Sequence, residues 1–274
     1  MFERLVNLLV APHPDADDTI FNPLTPPKVE QYLEIRGAAL WVEVSGRGVP
    51  LVLLHGGAHD SGIWHPYLSE LGQQRTVITV DARAHGRSHD SEAPFSYDDF
   101  AQDVKCVLDE IRVDRADFVG WSDGGVVALL LASRFPALVE NLVAISANFR
   151  VAGMQPGFLR WLRSATPDSF DVRLRERYER IAPDPSGFAT LAGKLLALWR
   201  VQPEIARDEL TRIRARTLVC AASRDLVREE HTAELAHLIN GATRASIPES
   251  THEVVRDHPD RVLPLLSEFL ARYG

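Results

Sequence analysis

The segment Gly120-Trp121-Ser122-Asp123-Gly124 sets a serine two residues from a glycine on either side. It follows the apolar run Asp117-Phe118-Val119 and precedes Val126-Val127-Ala128-Leu129-Leu130. A strand feeding a helix through so short a turn forces the serine into a strained conformation, and Cβ atoms two residues away would collide. Glycine at both flanking positions removes that collision. The helix N-terminus then aims free N–H groups at the serine, where negative charge develops as its hydroxyl attacks a carbonyl. The chemistry on offer is nucleophilic acyl transfer from Ser122.

A serine hydroxyl is a weak nucleophile until a base takes its proton and a third group orients that base. With this turn the partners follow in the order serine, acid, histidine. His252 ends Pro248-Glu249-Ser250-Thr251-His252, directly after the last strand pattern. His231 falls inside a helical pattern and His258 near the start of the last helix, where both are expected to be solvated. The base is therefore expected at His252. The acid should leave a strand at the same edge, and Asp225 closes the run Thr217-Leu218-Val219-Cys220-Ala221-Ala222-Ser223-Arg224-Asp225. The competing place, after the preceding strand, holds Ser146-Ala147-Asn148 and no carboxylate. The plainer alternative for Asp225 is a turn aspartate capping the helix that starts near Glu229.

Acyl transfer also needs donors aimed at the tetrahedral oxyanion. One is expected from the backbone N–H of Asp123. The other should come from the loop His55-Gly56-Gly57-Ala58-His59-Asp60-Ser61-Gly62-Ile63-Trp64, where Gly57 is the expected donor. His55 and His59 invite a metal reading. A histidine at a strand end more often braces its loop, and no carboxylate-histidine cluster completes a site, so no metal is expected.

Four loops must therefore meet at one edge of a sheet. Strand patterns run over 29–36, 40–44, 50–55, 76–81, 116–121, 141–146, 217–221 and 244–247. Helical patterns run over 63–71, 97–111, 124–135, 229–238 and 259–273. Ser96 with Asp99 three residues on offers a capping-box start to the helix over 97–111. Apolar strands alternating with helices predict an α/β protein with a mostly parallel sheet covered on both faces. Residues 149–213 hold helical patterns without a convincing strand, which predicts a helical cap inserted after the sixth strand. The core is then 29–148 and 214–274. Residues 1–28 read as a short helix over 1–11 followed by a Pro/Asp-rich connector.

At 274 residues, 45% hydrophobic and 25% charged, the chain has ample material for one large domain and too many charges for an integral membrane protein. A net charge of −8 argues against a nucleic-acid partner. Cys106 and Cys220 make neither a disulfide framework nor a zinc site, and read as apolar thiols. No apolar stretch is long enough to span a bilayer, and the N-terminus lacks a cleavage pattern, so a cytoplasmic location is expected.

With these residues in hand, the chain resembles the α/β-hydrolase superfamily of serine hydrolases over roughly residues 30–274. The resemblance rests on His55-Gly56-Gly57 followed by Trp64, on Asp81-Ala82-Arg83-Ala84-His85-Gly86-Arg87-Ser88, on Gly120-Trp121-Ser122-Asp123-Gly124-Gly125, and on Asp225 and His252. The tract 81–88 resembles a structural loop of that family. Departures stand at Ala84, Ala222 and Thr251, where the family usually has glycine. Ser122 argues against the epoxide hydrolases and haloalkane dehalogenases, which use aspartate there. The carbon–carbon hydrolases tend to carry a Gly-Pro-Gly oxyanion loop that is absent here.

The resemblance implies a cofactor-free esterase or lactonase acting on a small-molecule substrate through an acyl-enzyme. An acyltransferase, a cofactor-free perhydrolase or a biosynthetic cyclase would use the same triad, and a non-catalytic ligand-binding protein would share the fold. The elbow also resembles that of the valacyclovir hydrolase-like esterases, which implies that Asp123 recognises a cationic group; otherwise Asp123 simply suits a helix first turn. The stretch from Phe149 to Ile181 points the other way. Its Arg150, Arg160, Arg163, Arg173, Arg175, Arg177 and Arg180 could attract an anion, although solvated faces with intrahelical ion pairs are the plainer expectation. Phe158, Trp161, Leu162, Leu195, Leu198 and Trp199 would roof the serine, with Trp121, Trp161 and Trp199 as candidate substrate contacts.

Overall fold

The computed structural model describes residues 28–271; the expected helix over 1–11 and the connector as far as residue 27 lie outside the described residues. One eight-stranded sheet runs in the order β1-β2-β4-β3-β5-β6-β7-β8. Its strands are Lys28–Ile35 (β1), Ala38–Gly46 (β2), Val49–Leu54 (β3), Arg75–Val80 (β4), Ala116–Trp121 (β5), Val139–Ile145 (β6), Arg216–Arg224 (β7) and Thr243–Thr251 (β8). β2 pairs antiparallel with β1 and β4, and the other pairings are parallel. β5 is buried at every position, as expected of a central strand covered on both faces.

The parallel register aligns the carboxyl ends. Leu54 pairs with Gly120, Trp121 with Ile145, and Ile145 with Cys220. The loops after β3, β5, β7 and β8 therefore emerge at one edge. Chain order reverses at β3, which has β4 on one side and β5 on the other. That reversal opens the crevice where ligands of open α/β sheets sit.

Ten α-helices occur among the described residues: His65–Leu71 (α1), Tyr97–Glu110 (α2), Asp123–Arg134 (α3), Pro156–Ser164 (α4), Val172–Ile181 (α5), Phe188–Val201 (α6), Arg207–Leu210 (α7), Glu229–Leu238 (α8), Val254–Asp257 (α9) and Pro259–Ala271 (α10). One face of the sheet packs on α2, α3 and α8. The other packs on Trp64, on α1 through Tyr67 and on α10 through Val262 and Leu266. Helices α4 to α7 all fall between β6 and β7, and α7 already packs against α3.

The sequence expectations differ from the structure at a few ends. Ser96 does cap α2, accepting from the Asp99 N–H at 3.0 Å. Its hydroxyl also donates to the Asp99 carboxylate at 2.6 Å, so that side chain engages the cap residue's hydroxyl rather than its backbone. β8 runs on to Thr251, and the short α9 follows where only a loop was expected. His231 is a correction. It is buried, stacks on Phe149 with centroids 4.1 Å apart, and accepts from the Phe149 N–H at 3.1 Å. A helical period shows that a residue has a face, and not what that face meets. His258 is half-buried, and His237, on the same helix as His231, is exposed.

Candidate active site

Ser122 sits between β5 and α3 at φ 55° and ψ −119°, the strained turn its neighbours demanded. A Cβ on Gly120 would overlap the Gly124 backbone, and one on Gly124 would overlap the Leu54 and His55 carbonyls. Such a conformation costs about 1–3 kcal/mol. Burial of one leucine contributes roughly 1.5–3 kcal/mol, and Leu129, Leu130 and Leu131 of α3 are each at most 2% exposed. The packing of α3 therefore outweighs the strain at the residue that caps its N-terminus.

The three residues chosen from their order along the chain meet. The Ser122 hydroxyl donates to His252 Nε2 at 2.9 Å, and His252 Nδ1–H donates to Asp225 Oδ1 at 2.7 Å. Asp225 is further held by the Ala222 and Val227 N–H groups at 2.9 and 3.2 Å, and by the Ser146 hydroxyl. Burial alone would raise the Asp225 carboxyl, but the His252 partner outweighs it and leaves it below the ordinary range. Burial would likewise lower His252, and Asp225 more than reverses this, so the imidazole is raised above its usual 6.5. Ser146 occupies the vacated acid position at the end of β6 and serves Asp225 instead.

The loop after β3 folds back over the elbow. A Cβ on Gly57 would overlap the Asp123 carboxylate and the Trp199 ring, which is how closely this backbone approaches. His55 braces the loop: its Nε2 accepts from the Ala82 N–H at 3.0 Å, and its Nδ1–H donates to the Gly56 carbonyl at 2.8 Å. His59 lies edge-on to Trp121, with centroids 4.8 Å apart, and faces Glu253 at 3.2 Å. The 81–88 tract is structural in its contacts. Asp81 accepts from the Ser61 and Arg87 N–H groups, and Ser88 donates to the Asp81 carbonyl. Ala84, standing where glycine is usual, takes φ 64°.

Above Ser122 lies a space of about 880 Å³. Trp121, Trp161 and Trp199 line it, as does Phe158. Trp121 is fixed by its Nε1–H, which donates to the His252 carbonyl at 2.9 Å. Leu162, Leu195 and Leu198, expected in the roof, are buried among the helices instead. Phe170 and Tyr97, absent from the sequence expectations, reach the space. Phe158, Trp161, Phe170 and Trp199 contact one another in a closed ring, with centroids 5.4 to 6.4 Å apart.

Asp123 does not present a free carboxylate. The Tyr97 hydroxyl donates to its Oδ1 at 2.7 Å, and Trp199 Nε1–H reaches Oδ2 at 2.9 Å. Burial raises this carboxyl, and the two neutral donors oppose the rise only in part. The arginines also differ from expectation. Arg173 pairs with Asp171, Arg175 with Asp168 and Arg177 with Asp60, in loops rather than along one helix. Among the described residues no lysine or arginine lines the space above Ser122, whereas Asp123, Asp171 and Glu253 do.

The sequence matches the family described as the Alpha/beta hydrolase family over residues 51–265. It is 26% identical to the mouse Serine hydrolase BPHL over 251 residues, covering 86% of this chain and 84% of that protein. It is 28% identical to the Putative carbamate hydrolase RutD of Azorhizobium caulinodans over 253 residues, covering 81% and 91% respectively. Among solved structures it is similar to Est816, described as an N-acyl homoserine lactone degrading enzyme. That match has 28% identity and a TM-score of 0.70, covering 87% of this chain and 99% of the other.

Proposed function

The chain belongs to the alpha/beta hydrolase family, and from that premise we propose that it is a serine hydrolase cleaving a small carboxylic ester or lactone. The observation that carries this reading is the unbroken line Asp225, His252, Ser122 opening into an aromatic-walled space. Relatives named a serine hydrolase and a putative carbamate hydrolase, and a solved structure described as an N-acyl homoserine lactone degrading enzyme, support it.

Ser122 Oγ attacks the carbonyl carbon, and its proton passes to His252 Nε2 as the carbon–oxygen bond forms. The carbonyl electron pair moves to oxygen, where the Gly57 and Asp123 N–H groups receive the charge. Collapse breaks the bond to the leaving oxygen, which takes the proton from His252, and an acyl-enzyme remains. Water then adds by the same route, its proton passing through His252 to Ser122, and the carboxylic acid departs. Asp225 keeps Nδ1 protonated and balances the imidazolium. The reaction requires no cofactor.

We assign residues 149–213 as the cap over a core of 29–148 and 214–274. Three carboxylates and, among the described residues, no lysine or arginine around the space favour a neutral ester over an anionic one. Because both oxygens of Asp123 are engaged, we assign it to holding the cap rather than to reading a substrate cation. A fluorophosphonate should label the protein stoichiometrically, and Ser122→Ala should abolish the labelling; labelling that survives in Ser122→Ala overturns the assignment.

A further inference from the structure

We propose that the cap helices assemble the oxyanion hole, with Arg177 and Trp199 as positioning residues that act through Asp60 and Asp123. This inference rests on the reading of Gly57 and Asp123 as the hole's two donors.

Of the ties from the cap to the core, two land on segments that carry a donor. From α5, Arg177 Nε and Nη2 donate to Asp60 Oδ2 and Oδ1 at 2.9 and 2.7 Å, a two-point clamp. Asp60 is three residues beyond Gly57 and also accepts from the Gly62 N–H at 2.8 Å. Its side chain is only 7% exposed. Burial would raise the Asp60 carboxyl, but the guanidinium overrides that and holds it below the ordinary range. The clamp has steric room because residue 62 is glycine; a Cβ there would overlap Arg177 and Asp60.

From α6, Trp199 donates to Asp123, the residue that supplies the other N–H. The same indole and carboxylate press on the Gly57 backbone, so the two donor segments meet through this contact. A planar two-point clamp and an indole N–H fix direction as well as distance. Neither Arg177 nor Trp199 needs to touch the reacting carbonyl. Without the Arg177 guanidinium, Asp60 would be a buried carboxylate lacking its cation, and the loop that carries Gly57 would lose its outer anchor.

The experiment compares Arg177→Met, Trp199→Phe and the double variant with Lys194→Met. The last removes a cap-to-core ion pair, Lys194 with Asp90, that lands on neither donor segment. On p-nitrophenyl acetate, whose acyl group is too small to depend on the cap for binding, kcat should fall about 10-fold in each of the first two with KM unchanged. Fluorophosphonate labelling should slow by a similar factor, while Lys194→Met matches wild type in both. Arg177→Lys should recover only part of the rate, because an ammonium cannot form the two-point clamp. Hydrogen exchange of residues 56–60 should speed up in Arg177→Met, a readout that needs no turnover. Changes confined to KM for long-chain esters, with kcat, labelling and exchange at wild-type values, would overturn the proposal. Wild-type protein that takes no label would count against the hydrolase reading, and the exchange measurement would still decide whether the clamp holds the loop.

Discussion

The sheet edge and the helices above it solve opposite problems. At the edge, four loops leave strands whose register is fixed by backbone pairing, and the side chains that meet there are held by short, directed hydrogen bonds. Helices α4 to α6 cover that edge with aromatic rings in mutual contact and with ion pairs at their margins. Ring-to-ring packing tolerates sliding, whereas a hydrogen-bonded relay does not. The edge thus holds one geometry, and the helices above it give the space its shape.

The largest test of that division is Asp225→Asn, which keeps the shape and removes the charge. It should lower kcat by about 10⁴-fold. The remaining activity should show its acid limb shifted to lower pH. In the wild type, kcat/KM should rise with pH through a midpoint above 6.5, because His252 must be neutral to act as base and Asp225 raises it. A wild-type midpoint at or below 6.5 would contradict the hydrogen-bonded pair.

Gly57→Ala tests the place where the two regions touch. The added methyl has to displace the Asp123 carboxylate or the Trp199 ring. A loss of about 100-fold in kcat is expected, the scale of one oxyanion donor. A wild-type rate would show that the loop has slack and that the contrast between edge and cap is overstated.

A third test uses acid. Burial lowers His85 to about 3 and His231 to about 4. Both stay neutral in the fold while the unfolded chain takes up two protons below about 6.5. The unfolded state therefore gains as pH falls, and the contribution of these two residues should lower stability as pH drops from about 6 towards 4. His231 lies at the seam, against Phe149 where β6 leads into the cap. His231→Gln should flatten the slope of a denaturant-midpoint-against-pH plot; an unchanged slope would remove it as a source. The smallest effect belongs to the cap's outer charge. Arg160→Gln with Arg163→Gln should change KM for a neutral ester less than about twofold, since neither residue lines the space.

The same contrast explains what could be read in advance. The meeting of Ser122, Asp225 and His252 was legible because each follows a strand, and strand order fixes which ends coincide. The glycines around Ser122 were legible because their absence of a side chain is a steric requirement. The cap resisted. Leu162 and Phe158 are both apolar on one helical stripe, and only the fold tells which one faces another helix and which faces the space. Tyr97 read as the first residue of an amphipathic helix, and its hydroxyl's partner lies 26 residues away. Arg177 read as one charge among seven, because nothing in its neighbourhood on the chain points to Asp60, 117 residues earlier.

Trp121, tied by its indole N–H to the His252 carbonyl and flanking Ser122, gives the protein an intrinsic optical reporter. Indole emission responds to the polarity and charge around the ring. Formation of an ester on the adjacent serine and charging of the imidazole 6.0 Å away both alter that field. Acylation and deacylation should therefore be visible as successive emission changes in a stopped-flow trace, with no chromophore on the substrate and no label on the protein.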